Sequence, residues 1–269
     1  MTTAHLPLLI EPEALELPID QQRCRLVDLS STAQYLAGHI PGAVHIAPTR
    51  TAAPAPRPGL LPSEAELHSM FSELGHHDEL HYIVYDDEGG GWAGRFIWLL
   101  DSIGHPHYSY INGGLKAWQQ AGLELEQEQN KASPSQPTLS FNNHHTIDLD
   151  SLLADLKNPQ QVIWDARSPQ EFCGAKVVAA KGGHIPGAVN FEWTAGMDSE
   201  NGLRLRSDLA EQLRALGVTP DKTIITHCQT HHRSGFTYLA AKVLGYPNVK
   251  AYAGSWSEWG NHPDTPVEL

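Results

Sequence analysis

The sequence predicts an α/β protein of two similar lobes, each a mostly parallel sheet flanked by helices, and three observations predict it. The segment His39-Ile40-Pro41-Gly42-Ala43-Val44 recurs as His184-Ile185-Pro186-Gly187-Ala188-Val189. Short β-branched runs alternate with segments of helical period in each half, which is the pattern of βαβ units. The 269 residues, set against about 150 for a typical domain, make roughly two globular units.

The surroundings of the repeated segment recur as well. Apolar runs ending in Asp precede it, Leu26-Val27-Asp28 and Ile163-Trp164-Asp165, each followed by Ser and then an aromatic, Tyr35 or Phe172. Helix-like segments follow, ending Glu73-Leu74-Gly75 and Ala215-Leu216-Gly217. In the second, Ser207-Asp208 reads as an N-cap before the stripe Leu209, Leu213 and Leu216, with Gly217 as the stop. A further pair of apolar runs covers His81 to Tyr85 and Thr223 to His227, each leading through a loop into an amphipathic segment, Arg95 to Gly104 and Phe236 to Gly245. Both halves close at the same spacing, with Gly113 and Trp118 or Gly254 and Trp259. A period this long denotes tandem domains, because solenoid repeats run about 20–50 residues. Glu124 to His145, with Pro134 and Pro137 and little apolar periodicity, reads as a linker. The expected domains are therefore 1–123 and 146–269, with 124–145 between them.

Composition narrows the class of function. Hydrophobic residues at 41% and charged residues at 18% exclude a disordered chain. A net charge of −13 argues against nucleic acid or an anionic membrane as partner and points to a small ligand. Met1 to Ile10 has no basic run and too short an apolar stretch for a signal peptide. No segment approaches the ~20 apolar residues of a bilayer span, so a cytoplasmic protein is expected. Three cysteines, Cys24, Cys173 and Cys228, are an odd number in a long chain, which leaves thiols free rather than forming a disulfide framework. Sixteen histidines, including His76-His77, His144-His145 and His231-His232, form no metal-ligand spacing, and no metal or other cofactor is expected. Pro54 to Pro62 reads as a surface loop without chemistry.

Ligands of open parallel sheets sit beyond the carboxyl ends of the strands. There the second-half strand Thr223–His227 delivers Cys228-Gln229-Thr230-His231-His232-Arg233-Ser234 and then an apolar helix. A thiol at a helix N-terminus, beneath loop N–H groups, has two agents that stabilise a thiolate. The same loop cradles anions, and Arg233 adds a permanently charged donor fork. The other reading of such a cysteine is a buried structural thiol. The unbroken run of polar residues after the thiol, which a structural turn does not require, favours a site.

With this loop the chain resembles the tandem-domain rhodaneses, which are thiosulfate sulfurtransferases, and especially bacterial members carrying Cys-Gln-Thr-His-His-Arg-Ser. The resemblance covers nearly the whole chain. It implies two rhodanese-like lobes of which only the second is catalytic, with Cys228 as the persulfide-forming nucleophile and Arg233 as an anion-binding group. Gln229, Thr230, His231, His232 and Ser234 would line the substrate, the two histidines binding anions when protonated. The Gly-His-Ile-Pro-Gly-Ala segments at 38–43 and 183–188 resemble architectural marks of the family. Animal members carry a charged residue directly after the cysteine, where this chain has Gln229. Arg167 and Trp193, in loops beyond second-lobe strands, could approach Cys228, although salt bridging and packing explain them equally well.

Aligning the halves sets Asp86 opposite Cys228 as the inactive-lobe counterpart. The first-lobe loop Gly89-x-Gly91-x-x-Gly94 also fits a dinucleotide fingerprint. Asp86, Asp87 and Glu88 would place negative charge beside a pyrophosphate, and no acidic residue stands about twenty positions on for a ribose. The expected reaction moves sulfane sulfur from a small anionic donor, thiosulfate, to cyanide or a thiol. Alternatives are mercaptopyruvate as donor, or a persulfide carrier that serves a protein acceptor. A cysteine phosphatase or arsenate reductase is a remote alternative, since phosphatase loops place one residue more between Cys and Arg than the four found here.

Overall fold

The computed structural model describes residues 6–269. The part of the N-terminal expectation that falls on Met1 to His5 lies outside the described residues. In the first lobe β1 (Leu9–Ile10), β2 (Cys24–Asp28), β3 (Val44–His45), β4 (His81–Tyr85) and β5 (Tyr108–Ile111) form a parallel sheet in the order β1-β5-β4-β2-β3. Its helices are α1 (Thr32–Ala37), α2 (Glu64–Glu73), α3 (Gly91–Ser102) and α4 (Gly114–Gln120).

The second lobe opens with α5 (Leu149–Ala154), then β6 (Gln161–Asp165), α6 (Pro169–Phe172) and β7 (Val189–Asn190). After a short ribbon, β8 (Met197–Asp198) and β9 (Arg204–Leu205), come α7 (Leu209–Ala215), β10 (Thr223–His227), α8 (Arg233–Val243), β11 (Val249–Ala251) and α9 (Ser255–Trp259). Its parallel sheet runs β11-β10-β6-β7, the order of the first sheet without the edge strand β1. The antiparallel β8–β9 ribbon has no counterpart in the sequence reading. Register sets His227 beside Asp165 and Tyr85 beside Asp28, so both sheets release their next residue, Cys228 or Asp86, at the carboxyl edge.

The lobes share one core. Val27 and Val84 of the first sheet are continuous through α3 and α8 with Val162 and Ile224 of the second. Sequence suggested amphipathic helices here, but every residue of α3 except Trp92 is buried, as is α8 from Ser234 to Ala241. A helix covered by its own sheet on one side and by the opposite lobe on the other needs no polar stripe. At their crossing the backbones touch, and a Cβ on Gly94 would lie 2.1 Å from the Gly235 carbonyl oxygen. Gly94 thus serves close helix approach rather than a nucleotide.

Two local expectations gain detail. Asp208 is the N-cap of α7 but makes no capping bond, because its carboxylate is held by Arg206 and Gln212. Segment 124–145 contains no named helix or strand but is laid along the first lobe, with Glu126 bonded to His39, Ser135 to Ser72 and Asn142 to Ser102. No helix among the described residues is long and apolar enough to cross a membrane.

Candidate active site

From β10 the chain turns through Cys228 to His232 and enters α8. The root of this loop is tied to α9, with the Cys228 N–H donating to Ser255 Oγ (3.3 Å) and its carbonyl accepting from the Trp256 N–H (2.9 Å). Ser255 (φ +54°) and His231 (φ +57°) both occupy the left-handed region without being glycine. Such residues cost on the order of 1 kcal/mol and persist only where their surroundings over-determine them. Both flank Cys228, which is 1% exposed. Among the described residues no protein acceptor receives the backbone N–H of Gln229, Thr230, His231 or His232.

The first lobe shows what the donors of the equivalent loop hold. Asp86 leaves β4 as Cys228 leaves β10, and its carbonyl accepts from the Leu115 N–H (2.8 Å) as that of Cys228 does from Trp256. Its carboxylate accepts four backbone N–H bonds, from Glu88 (3.1 Å), Gly90 (2.8 Å), Trp92 (2.9 Å) and Ala93 (3.0 Å). Burial and the adjacent Glu88 push this carboxyl up to about 6, against the pull of those N–H groups. The cradle is filled by the protein's own anion, which closes it to a pyrophosphate. In the second lobe the matching residue is a thiol.

Arg233 begins α8 and is not a free anion receptor. Its Nη1 and Nη2 donate to Glu171 of α6 at 2.7 and 3.0 Å. Glu171 also closes a capping box with Ser168, the S-x-x-E signal of a helix start that was present in the sequence. Burial would raise the Glu171 carboxyl, but the Arg233 fork outweighs it and brings it down to about 2. Burial likewise opposes the charge on Arg233, which Glu171 and the nearby Cys228 hold above its ordinary range.

The rhodanese-like domain family matches twice, over residues 11–121 and 148–262. The chain belongs to the rhodanese family. It is 57% identical over 265 residues to the thiosulfate sulfurtransferase of Pseudomonas aeruginosa, covering 98% of each chain. It is 59% identical over 267 residues to that of Azotobacter vinelandii, covering 99% of this chain and 98% of the other. The 3-mercaptopyruvate sulfurtransferase of Escherichia coli is 36% identical over 247 residues, covering 90% of this chain and 87% of the other. The fold is shared with the crystal structure of YnjE, at a TM-score of 0.86 and 21% identity over 97% of this chain and 68% of that one.

Within the rhodanese loop the remaining candidates divide. His231 turns inward: its Nδ1 pairs with Ser234 Oγ (2.7 Å), its ring stands edge-on to Trp98, and burial holds its protonation well below the ordinary range. The expectation that His231 binds anions as a cation is thereby corrected, because a buried imidazole beside Arg95 stays neutral. Ser234 is likewise buried and spent on His231. His232 faces the first lobe, stacked on Trp92 (4.1 Å), edge-on to Trp193 (5.5 Å) and bonded to Glu88. Glu88 therefore latches the lobes together rather than standing as a free repelling charge.

Gln229 has a buried side-chain oxygen with no hydrogen-bond partner. Thr230 lines a cavity of about 600 Å³ that also touches Trp92, Arg95 and Arg50. Trp193 reaches the loop through His232. Arg167 does so only indirectly: it forks onto Asp165 and lies 4.3 Å over Trp256, whose N–H holds the Cys228 carbonyl. His227, not singled out in the sequence, is buried beside Asp165, and burial pushes its protonation down to about 4. Cys24 is half-buried at the start of β2, and Cys173 is exposed after α6.

Two residues that sequence reasoning missed lie across the lobe junction. Arg95 of α3 reaches the carbonyls of Thr230 and His231. Gly59, in the loop expected to carry no chemistry, packs so tightly that an added Cβ would lie 1.9 Å from the Ala253 carbonyl oxygen. No local pattern marks either contact, since the partners are far apart in the chain.

Proposed function

We propose that this rhodanese is a thiosulfate sulfurtransferase that works through a Cys228 persulfide. The observation that carries the reading is the run of backbone N–H groups after Cys228, from Gln229 to His232, that meet no protein acceptor among the described residues, set beside a first-lobe cradle already filled by Asp86. The Cys228 thiolate attacks the outer sulfur of thiosulfate, the S–S bond breaks, and its electron pair leaves with sulfite. Cys228 then carries the sulfane sulfur until cyanide or a thiol attacks its terminal atom and returns the thiolate. The loop N–H groups receive the donor's sulfonate and, after sulfite departs, the terminal sulfur. Because Glu171 compensates Arg233, the loop draws on its N–H dipoles more than on the Arg233 charge.

Gln229 and Thr230 are the loop side chains placed to meet the donor, and His232 and Trp193 wall the approach. Much higher identity to thiosulfate sulfurtransferases than to the mercaptopyruvate enzyme supports thiosulfate as donor. A thiol-bearing protein as acceptor would use the same persulfide. The deciding assay compares thiosulfate and mercaptopyruvate as donors to cyanide, following thiocyanate. Thiosulfate should give the higher kcat/KM, and a reversed order would refute the assignment of the donor.

A further inference from the structure

The charges around Cys228 pair off, with one exception. Arg233 is compensated by Glu171 and Arg167 by Asp165, both within the second lobe. His232 bonds Glu88, and burial keeps His227 and His231 neutral at physiological pH. Arg95 is the exception. It is fully buried, and among the described residues no carboxylate lies within ion-pair distance of it.

Its five hydrogen bonds all go to backbone carbonyls. Nε donates to Thr51 (2.9 Å), Nη2 to Gly59 (3.0 Å) and Leu60 (2.9 Å), and Nη1 to Thr230 (3.3 Å) and His231 (3.1 Å). Burying an uncompensated guanidinium is costly, so a fold that retains one has a use for its charge or its fork. Two consequences follow from the geometry. A peptide unit is planar and trans, so carbonyls of Thr230 and His231 turned toward Arg95 direct the N–H groups of His231 and His232 away from it. These are two of the donors without a protein acceptor. The hold on the His231 carbonyl also fixes the left-handed conformation that the loop requires at that residue.

We propose that Arg95, a first-lobe residue, is a positioning residue for the second-lobe nucleophile: its fork sets the Cys228 loop, and its charge is the uncompensated positive charge beside the thiolate. The first lobe then contributes to sulfur transfer even though its own cradle is filled. Burial draws the guanidinium down to about 10, and the charge that opposes this is Cys228. The proposal rests on Cys228 being the nucleophile, but its test does not require sulfur transfer to succeed.

The experiment uses full-length Arg95→Met and Arg95→Lys, with folding checked by circular dichroism. Iodoacetamide alkylation of Cys228 is followed against pH by peptide mapping, alongside steady-state sulfur transfer. In Arg95→Met the alkylation profile should move to higher pH, as expected when an opposite charge is withdrawn. Arg95→Lys keeps the charge but not the fork, so its inflection should stay near wild type while kcat falls about tenfold or more. A folded Met variant with an unmoved inflection would overturn the electrostatic role. A Lys variant with wild-type kcat would overturn the positioning role, and it remains informative if the Met variant does not fold.

Discussion

Replacing Glu171 by Gln tests how the second lobe uses its conspicuous cation. The carboxylate accepts both Arg233 Nη atoms, and its side chain is only 4% exposed. Against burial, the Arg233 fork together with Ser168 takes the carboxyl from 4.5 to about 2, roughly 2.5 units, which at about 1.36 kcal/mol per unit sets a ceiling of about 3 kcal/mol. Arg233 retains 21% exposure, so solvent screening reduces this to about 2 kcal/mol. Glu171→Gln should then lower Tm by about 4–8 °C at pH 7. Because the folded-state value is depressed, the contribution is complete above the unfolded value near 4.5 and is lost as pH falls from there through about 2. The gap between wild type and variant should close over that window in urea unfolding followed as a function of pH. Released from its partner, Arg233 should also lower KM for thiosulfate. Equal stability at pH 7, or a gap that persists unchanged to pH 2, would refute this account of the pair.

Three further outcomes are expected. Gly94→Ala should destabilise the protein by about 1–3 kcal/mol in urea unfolding, because its Cβ meets the Gly235 backbone, which cannot yield without separating α3 from α8. Asp86→Ala should leave four backbone donors without their acceptor and cost at least about 2 kcal/mol, while turnover per folded molecule stays nearly unchanged. Loss of turnover in a folded Asp86→Ala variant would give the first-lobe loop a part in the chemistry. Asp86→Cys should form no persulfide at a rate near that of Cys228, since its loop keeps acidic Asp87 directly beside residue 86; mass mapping after thiosulfate decides this.

The two-lobe fold was legible because both copies retain the same strand, loop and helix pattern, including the His-Ile-Pro-Gly-Ala-Val segment. The position of Cys228 was legible for a related reason: a thiol between an apolar strand and an apolar helix occupies the carboxyl edge whatever the rest of the chain does. The state of Arg233 was not legible, because its partner Glu171 lies 62 residues away and shows locally only as a helix-capping residue. His231 and His232 are adjacent, yet a left-handed backbone at His231 sends one ring into the core and leaves the other against the first lobe. Nothing in side-chain chemistry announces that divergence. The contacts made by Arg95 and Gly59 depend on how the lobes dock, which no local period encodes.

The central claim is a covalent sulfur on Cys228. Protein treated with thiosulfate and freed of excess donor should gain one sulfur atom by intact mass, mapped to the Cys228 peptide and removed by cyanide with release of thiocyanate. Cys228→Ala should fold, gain no sulfur and show no turnover. An added sulfur on Cys24 or Cys173, or turnover retained by Cys228→Ala, would contradict the account.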